Sequence, residues 1–389
     1  MRVLISGAGI AGPCLAYWLE RGGHQPTIVE RAPSLRAGGY IVDFWGAGFD
    51  VAERMGIVPG ILEAGYDMEE MRQVDRNGKR LSGLSVGVLK RLTGGRFTSV
   101  PRSELSALIF QSLGDRVETV FDDSITAIDD VGDAVRVQFE RSPQRSFDLV
   151  VGADGLHSQV RRLAFGDEFE RYLGIKVAAF SIPGYQPRDE GIYMMHTELG
   201  QQVGRFAMRD DRMLFLFVFK DPSPDLPSNI GAQKALLRER FAGSGWESPS
   251  ILAALDRADT LYLDRVSQIH MERWTRGRVA LVGDAAFCVS LLGGQGSALA
   301  MVAAYILGGE LAGGDYESAF ARYHERLYRF IAGKQRAAAR FAPFFAPGSR
   351  FGMFVRNQVM KLMAVPFVSK LAVGRELRDS IELPDYLPG

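Results

Sequence analysis

Near the start of the chain, glycines and an acid are spaced as in a site for a dinucleotide. Gly7, Gly9 and Gly12 form a Gly-x-Gly-x-x-Gly run, and Glu30 follows about 20 residues later. In such a run the first glycine permits a tight turn, the second lets a pyrophosphate approach the backbone, and the third lets a helix pack closely on a strand. Glu30 can then accept hydrogen bonds from a ribose. The chemistry indicated is the binding of a dinucleotide cofactor.

The elements that such a site requires surround these glycines. The sequence predicts a strand, a helix and a second strand at residues 2–6, 13–21 and 26–30. Free N–H groups near Ile10 and Ala11 would face the phosphates at the positive end of the helix dipole. The nearly uncharged stretch 3–19 also allows a signal peptide. That alternative leaves the glycines unexplained, and no small-x-small cleavage site precedes Glu20.

Two later segments also pair an acid with glycine at the end of a predicted strand. Asp154 and Gly155 follow one apolar run, and Gly283 and Asp284 close another, before a predicted helix at residues 297–311. Ligands of open α/β sheets bind at the carboxyl ends of the strands. We therefore expect the three acids to converge on one long ligand that lies across one sheet.

Length and composition restrict the class of protein. The 389 residues exceed one ordinary domain, and 47% hydrophobic with 24% charged residues is the balance of a globular protein with a large core. Lysines plus arginines equal aspartates plus glutamates, at 46 each, which gives no indication of nucleic acid as a partner. Two cysteines, Cys14 and Cys288, suit a reducing cytoplasm, and no cluster has metal-ligand spacing. We expect a cytoplasmic protein without a metal or an integral membrane segment.

The pattern of elements predicts an α/β fold in four parts. A Rossmann-like FAD/NAD(P)-binding domain would comprise residues 1–171 and 273–315, and a mainly antiparallel substrate domain, residues 172–272, would be inserted into it. Short strands near residues 117–121, 125–128 and 134–140 suggest a small meander. A long amphipathic helix would begin at residue 316 and break at Pro343. C-terminal helices would fill 316–389, with a last helical stretch at 354–377.

The glycine run with Glu30, the Asp154-Gly155 pair and the Gly283-Asp284 pair together resemble the motifs of the class A flavoprotein monooxygenases of the p-hydroxybenzoate hydroxylase type. The resemblance extends over almost the whole chain and implies FAD as the cofactor. It implies that Arg102, in Val-Pro-Arg-Ser-Glu-Leu, lies over the flavin, that Asp284 bonds the ribityl or pyrophosphate part, and that Asp154 serves both FAD and nicotinamide binding. The full set of cofactor residues implied is Gly7, Gly9, Ile10, Ala11, Gly12, Glu30, Arg31, Arg102, Asp154, Gly283, Asp284, Gly294, Gln295, Gly296 and Ser297.

Within that family, three features look like the tetracycline-inactivating flavin monooxygenases, the tetracycline destructases. They are the stretch 274–288, the Gly-Gln-Gly-Ser loop at 294–297, and the tail at 381–386. Members of the wider family usually have His, then Pro-Pro, where this chain has Phe287, Ser290 and Leu291, and Asn where it has Ala298. These departures concern the pocket beside the flavin ring. The resemblance implies inactivation of tetracycline antibiotics, with a last helix that bridges the two domains.

A single dinucleotide fingerprint implies that NADPH, or NADH, docks only transiently against the FAD domain. The flavin would carry the oxygen chemistry with O₂, so no catalytic side chain is nominated. A polycyclic enol or phenol would bind in an apolar pocket on the inserted sheet, and the protein is expected to act as a monomer. The substrate candidates are His196, Arg205, Met208, Phe215 and Phe217.

Three alternatives remain open on the sequence. The chain could hydroxylate another aromatic or polyketide substrate. It could instead be a binding protein that uses this fold without turnover. Thirdly, residues 351–377 could form a peripheral membrane helix, although Pro366 interrupts them.

Overall fold

The computed structural model describes residues 1–35, 38, 40–363 and 381–386. In chain order, the strands are β1 (Arg2–Ser6), β2 (Gln25–Glu30), β3 (Ile41–Trp45), β4 (Glu70–Val74), β5 (Arg80–Ser85), β6 (Phe97–Pro101), β7 (Glu118–Phe121), β8 (Ile125–Asp130), β9 (Val135–Phe139), β10 (Arg145–Phe147), β11 (Leu149–Gly152), β12 (Glu170–Pro183), β13 (Ile192–Glu198), β14 (Gln201–Ala207), β15 (Arg212–Lys220), β16 (Tyr262–Ile269), β17 (Thr275–Arg276) and β18 (Val279–Leu281). The helices are α1 (Ala11–Arg21), α2 (Ala47–Arg54), α3 (Val58–Ala64), α4 (Val86–Leu92), α5 (Arg102–Gln111), α6 (Gln159–Ala164), α7 (Ile230–Phe241), α8 (Ser248–Ala254), α9 (Asp284–Phe287), α10 (Gly296–Ala312), α11 (Tyr316–Phe345) and α12 (Arg350–Met363).

The first sheet brings the three predicted strand ends to one edge. Its order is β17-β18-β11-β1-β2-β7, and β18, β11, β1 and β2 run parallel. The register pairs Ser6 with Gly152 and Gly152 with Leu281, so β1, β11 and β18 end side by side. Their apolar side chains are almost fully buried, as a parallel sheet covered on both faces requires. The predicted Rossmann-like sheet is therefore confirmed.

One prediction for this region is wrong. The segment 117–121 does not join a meander, because β7 pairs in parallel with β2 and extends the first sheet. The strands β8, β9 and β10 form a separate three-stranded sheet. Chain proximity favoured the meander, whereas the partner that β7 finds is almost a hundred residues earlier in the sequence (Thr27 pairs with Glu118).

The second sheet has seven strands in the order β16-β12-β15-β14-β13-β4-β5. All its pairs are antiparallel except that of β13 with β4, so the predicted mainly antiparallel sheet is confirmed. The strands β4 and β5 join it from residues 70–85.

The two faces of this sheet have different neighbours. Alternate residues of β15, such as Phe215 and Phe217, pack on one face against α7 and α8, in a cluster with Leu237 and Phe241. The other residues of β15 turn to the opposite face. There Leu216 and Val218 cluster with Leu291 and Leu292, which lie in the loop between α9 and α10. That second face is the one turned towards the loop between α9 and α10, and we call it the inner face.

The C-terminal part differs from expectation in one respect. The helix α11 continues through position 343 to Phe345, so the predicted break at Pro343 is wrong. The helix α12 covers the first part of the predicted stretch 354–377, and residues 364–380 lie outside the described residues. Across the ranges that the structure describes, no helix is both long and apolar enough to cross a membrane.

Candidate active site

The turn after β1 is tightly packed on one side and open on the other. Gly7 has φ of +109°, and a Cβ placed there would lie 2.7 Å from the carbonyl oxygen of Ala153. A Cβ at Gly12 would collide with the carbonyl oxygen of Gly7. A Cβ at Gly9 would meet only the Arg102 Nη2 atom, at 3.7 Å. The first and third glycines thus serve packing, and the second borders open space where a phosphate can approach the backbone.

Glu30 is held beside this turn by backbone donors. The amide N–H of Ala8 donates to its Oε2 atom at 2.8 Å, and the amide N–H of Ala32 donates to Oε1 at 2.9 Å. Each carboxylate oxygen keeps further acceptor capacity. The side chain is therefore pre-oriented and can still accept hydrogen bonds from ribose hydroxyls. Arg31, the next residue, is exposed.

The second acid, Asp154, is occupied by its own helix. Its carboxylate accepts hydrogen bonds from the hydroxyl of Ser158 and from the amide N–H groups of Gln159 and Val160, the latter two at 2.8 and 3.1 Å. Burial raises the pKa of Asp154, and these donors partly offset that rise. Next to it Gly155, with φ of +79°, has nothing within 4 Å of a Cβ position. The corner thus offers an open backbone, while the acid itself stabilises the start of α6.

Arg161 joins the second corner to the third. Its buried guanidinium donates from Nη1 to the carbonyl of Ala285 at 2.9 Å and from Nη2 to the carbonyl of Leu156 at 2.6 Å. These bonds connect the loop after β11 to the start of α9, so the positions of Asp154 and Asp284 are coupled.

Asp284 faces a cleft that also contains Arg102, Tyr40 and Tyr262. Burial raises the pKa of Asp284, and the positive charge of Arg102 partly offsets this. Burial raises the pKa of Tyr40 to about 12, although the positive charge of Arg102 opposes the shift. The ring centroid of Tyr40 lies 5.5 Å from that of Tyr262. Arg102 therefore lies between the first corner, where it approaches Gly9, and the third. The two tyrosines were not predicted, because no sequence spacing marks them.

The loop before α10 presents backbone donors to the same cleft. Gly294 is left-handed, with φ of 64°, and its N–H is used by the carbonyl of Leu291 at 3.2 Å. The helix α10 begins at Gly296 after Gln295, and no side chain caps it. The first N–H groups of an α-helix have no partner within the helix, so those at Gly296 and Ser297 are available to a ligand.

The space beside this loop supports the same conclusion. A Cβ at Gly294 would come no nearer than 3.7 Å to the ring of Trp45, and one at Gly296 would lie 3.8 Å from Asp284 Oδ1. Together with Gly9 and Gly155, these glycines leave space beside the backbone at all three corners, and we call this open side the groove. Open backbone positions and free N–H groups at a helix start are features that dinucleotide sites use.

The substrate candidates divide between the two faces of the second sheet. His196, Arg205, Phe215 and Phe217 share the face that α7 and α8 cover. Arg205 is buried there in ion pairs with Asp189 at 2.6 Å and Glu247 at 2.8 Å. The ring of His196 lies within hydrogen-bond distance of the carbonyl of Val74 and of Glu198.

Met208 packs on the other side, with the cluster of Trp45, Phe97 and Phe206. Strand register assigns further residues to the inner face: Tyr193, Met195, Thr197, Gln202, Phe206, Leu214 and Leu216. Period-two alternation separates the two sets in the sequence, but alternation alone does not say which set faces inwards.

Comparison with known proteins agrees with this arrangement. Residues 1–326 match the family model described as FAD binding domain. An uncharacterized protein of Mycobacterium tuberculosis is 41% identical over 89% of this chain and 94% of its own length. A flavin-dependent monooxygenase from an unknown prokaryotic organism is 35% identical over 99% of both chains.

A solved structure is also similar over nearly the full length. The crystal structure of the tetracycline destructase Tet(55) matches with a TM-score of 0.85 and 34% identity, covering 99% of this chain and 98% of the other. The chain belongs to the FAD binding domain family, and within it to the FAD-dependent class A monooxygenases.

Proposed function

We propose that the protein uses NAD(P)H and O₂ to hydroxylate a polycyclic enol, and that tetracyclines are its substrates. The observation that carries this proposal is the inner face of the seven-stranded sheet. Most of the β13–β15 residues on this face are apolar, among them Met195, Phe206, Leu214 and Leu216. Leu216 also clusters with Leu291 and Leu292 of the loop that ends at Gly296. A planar, multi-ring substrate suits such a wall. The similarity to a tetracycline destructase over the whole chain supports the choice of compound.

FAD would lie in the groove past the three corners. The backbone around Gly9, the carboxylates of Glu30 and Asp284, the guanidinium of Arg102 and the free N–H groups at the start of α10 are the contacts that we assign to it. When bound, FAD supplies the hydride acceptance and the oxygen transfer. Asp154 would support the groove indirectly, since its oxygens bond to α6.

The chain's own contribution is to bind, orient and keep water away. The residues of the inner face that include Leu216, Phe206 and Met195 would hold the substrate against the loop before α10, in a site with little water. The proposed substrate contacts therefore lie on this inner face. They do not lie on the opposite face, which carries Phe215, Phe217, Arg205 and His196. A transient docking place for NAD(P)H is consistent with the single dinucleotide fingerprint.

Turnover by the purified, FAD-loaded protein tests the proposal. NADPH and NADH oxidation in air would be followed by absorbance, with and without tetracycline, and products would be examined by mass spectrometry. We expect tetracycline to accelerate cofactor oxidation and to yield a product heavier by one oxygen atom. Oxidation that no tetracycline stimulates, without an oxygenated product, would remove tetracyclines as substrates. A colourless preparation that binds no added FAD would contradict the assignment of the groove.

A further inference from the structure

The helix α12 inserts a buried arginine against the inner face. Arg356 is only 4% exposed. Its Nη2 atom donates to the side-chain oxygens of Gln73 at 3.1 Å and Gln202 at 3.3 Å, on strands β4 and β14. Its Nε atom donates to the carbonyl of Phe344 at 2.8 Å. The hydroxyl of Thr197, which has a single proton, lies 3.0 Å from the Gln202 oxygen and 3.3 Å from the Gln73 oxygen, so it can donate to either and favours this orientation of both amides.

No negative charge compensates this guanidinium among the described residues. Every acceptor named above is a neutral amide or carbonyl oxygen, and no carboxylate of the described ranges lies within ion-pair distance of Arg356. Burial lowers its pKa to about 10. A buried charge without an opposite charge is costly, and proteins ordinarily pair it. By contrast, Arg205, a deeply buried arginine on strand β14, has two carboxylate partners.

Arg356 lies at the edge of the proposed substrate site. Gln202 lies opposite Val218 in the sheet, and Val218 clusters with Leu291 and Leu292 of the loop before α10. The guanidinium is thus at one end of the inner face. Its Nη1 atom makes one long hydrogen bond, to the Asn357 side-chain oxygen at 3.3 Å, so within the described part of the chain one N–H of this atom has no acceptor.

We propose that Arg356 is an anion-binding residue that receives a negatively charged oxygen of the substrate, an enolate or a carboxylate. This inference rests on the proposed function, because it places the anion in the same substrate site. Enols flanked by two carbonyl groups ionise readily, and tetracyclines carry such a group. The bound anion would supply the charge that the surrounding amides do not, and it would orient the rings along the apolar wall.

A pair of ligands that differ in charge tests the proposal without any turnover. Salicylate and salicylamide have nearly the same shape, and only salicylate is anionic. Their binding to the FAD-loaded protein would be measured by calorimetry. We expect salicylate to bind at least about tenfold more tightly, as a charged hydrogen bond gives. In Arg356→Gln this preference should disappear, Arg356→Lys should keep part of it, and Lys361→Gln, a change at an exposed position of the same helix, should leave it intact.

A second variant separates anion binding from a structural role of Arg356. Gln202→Glu would place a carboxylate beside the guanidinium and pair it from within the protein. We expect this variant to be at least as stable as the wild type in thermal unfolding and to lose the preference for salicylate. If Arg356 served only to fasten α12, Gln202→Glu would retain the preference, and Arg356→Gln would weaken both ligands equally.

The outcomes distinguish this inference from the proposed function. If Arg356→Gln lost the preference for salicylate and the wild type did not turn over tetracycline, the anion site would be supported and tetracycline would be refuted as the substrate. Turnover of tetracycline with no preference for salicylate, or with one that survives in Arg356→Gln, would overturn the anion site alone. Absence of salicylate binding to the wild type would also overturn it.

Discussion

Two glycines of the first turn allow a sharp test of the groove, because they differ in the space around them and in backbone conformation. A Cβ at Gly7 would lie 2.7 Å from the Ala153 carbonyl oxygen, and its φ of +109° disfavours any other residue. A Cβ at Gly9 would meet only Arg102 Nη2, at 3.7 Å, with no positive φ. We therefore expect Gly7→Ala to destabilise the fold. We expect the larger change, Gly9→Val, to spare the fold and to obstruct the pyrophosphate of FAD.

The magnitudes follow from backbone strain and overpacking. Strain of about 1–3 kcal/mol and overpacking of about 1–3 kcal/mol give Gly7→Ala a loss of about 2–6 kcal/mol. An unfolding entropy of about 2.1 cal/mol/K per residue, over 389 residues, makes a 4 kcal/mol loss worth about 5 °C in Tm. For Gly9→Val without cofactor, a change within about 0.5 kcal/mol corresponds to less than about 1 °C.

The assay compares both variants with the wild type after removal of FAD. Differential scanning calorimetry of the apoproteins gives Tm, and absorbance at 450 nm after incubation with FAD gives flavin content. Gly9→Val should retain less than about a tenth of the wild-type flavin, since the valine methyl groups would occupy the phosphate position. Normal flavin in Gly9→Val would refute the placement of the pyrophosphate. If the Tm of Gly9→Val were as low as that of Gly7→Ala, the inference of open space at Gly9 would be refuted.

Three other comparisons use further variants. Asp284→Ala should release most FAD, measured by fluorescence of free flavin, whereas Asp154→Ala should lower Tm through about 1–3 kcal/mol per unsatisfied donor and keep FAD; the reverse pattern would exchange their roles. Phe217→Leu should lower Tm and leave KM unchanged, while Leu216→Ala should raise KM for tetracycline severalfold; equal effects on KM would contradict the assignment of faces. Burial raises the pKa of Glu310, but hydrogen bonds from three residues outweigh it and hold the pKa below the usual 4.5: Tyr386, Arg322 and Arg326. This contribution to stability is complete above pH 4.5 and lost as pH falls below it, so the excess Tm of the wild type over Glu310→Gln should shrink in acid; a pH-independent difference would contradict it.

The sequence predicted the parts of the fold that depend on local pattern and on known strand–turn–helix geometry. The glycine run and the apolar strands of the first sheet belong to this class, since each element is specified within a few residues. The sequence also predicted that the three corners lie close together, because parallel strands that end at one edge of a sheet bring their loops together. The pairings of β7 with β2 and of β4 with β13 did not follow. Those pairings join segments far apart in the chain, and local sequence does not record which distant edge a strand will find.

The sequence could not show which face of the second sheet forms the proposed substrate site. Both sets of alternating residues on β15 are apolar, so hydrophobicity does not distinguish the wall under α7 and α8 from the inner face. Arg356 was not predicted for a related reason. An arginine in an amphipathic helix ordinarily faces water, and only the packing of α12 on β5 and β4 buries it.

The two acid corners have similar sequence and different chemistry because their helices begin at different places. Asp154 stands five residues before α6, so its carboxylate can reach the free N–H groups of Gln159 and Val160. Asp284 is itself the first residue of α9. Within the part of the chain that the structure describes, no backbone N–H donates a hydrogen bond to its carboxylate. Its carboxylate instead faces Arg102 and the Gly296 backbone, where its charge is offset only in part. An acid satisfied by its own helix supports the fold, and an acid left with acceptor capacity in a buried cleft is available to a ligand. For this reason Asp284, and not Asp154, should govern the retention of the flavin.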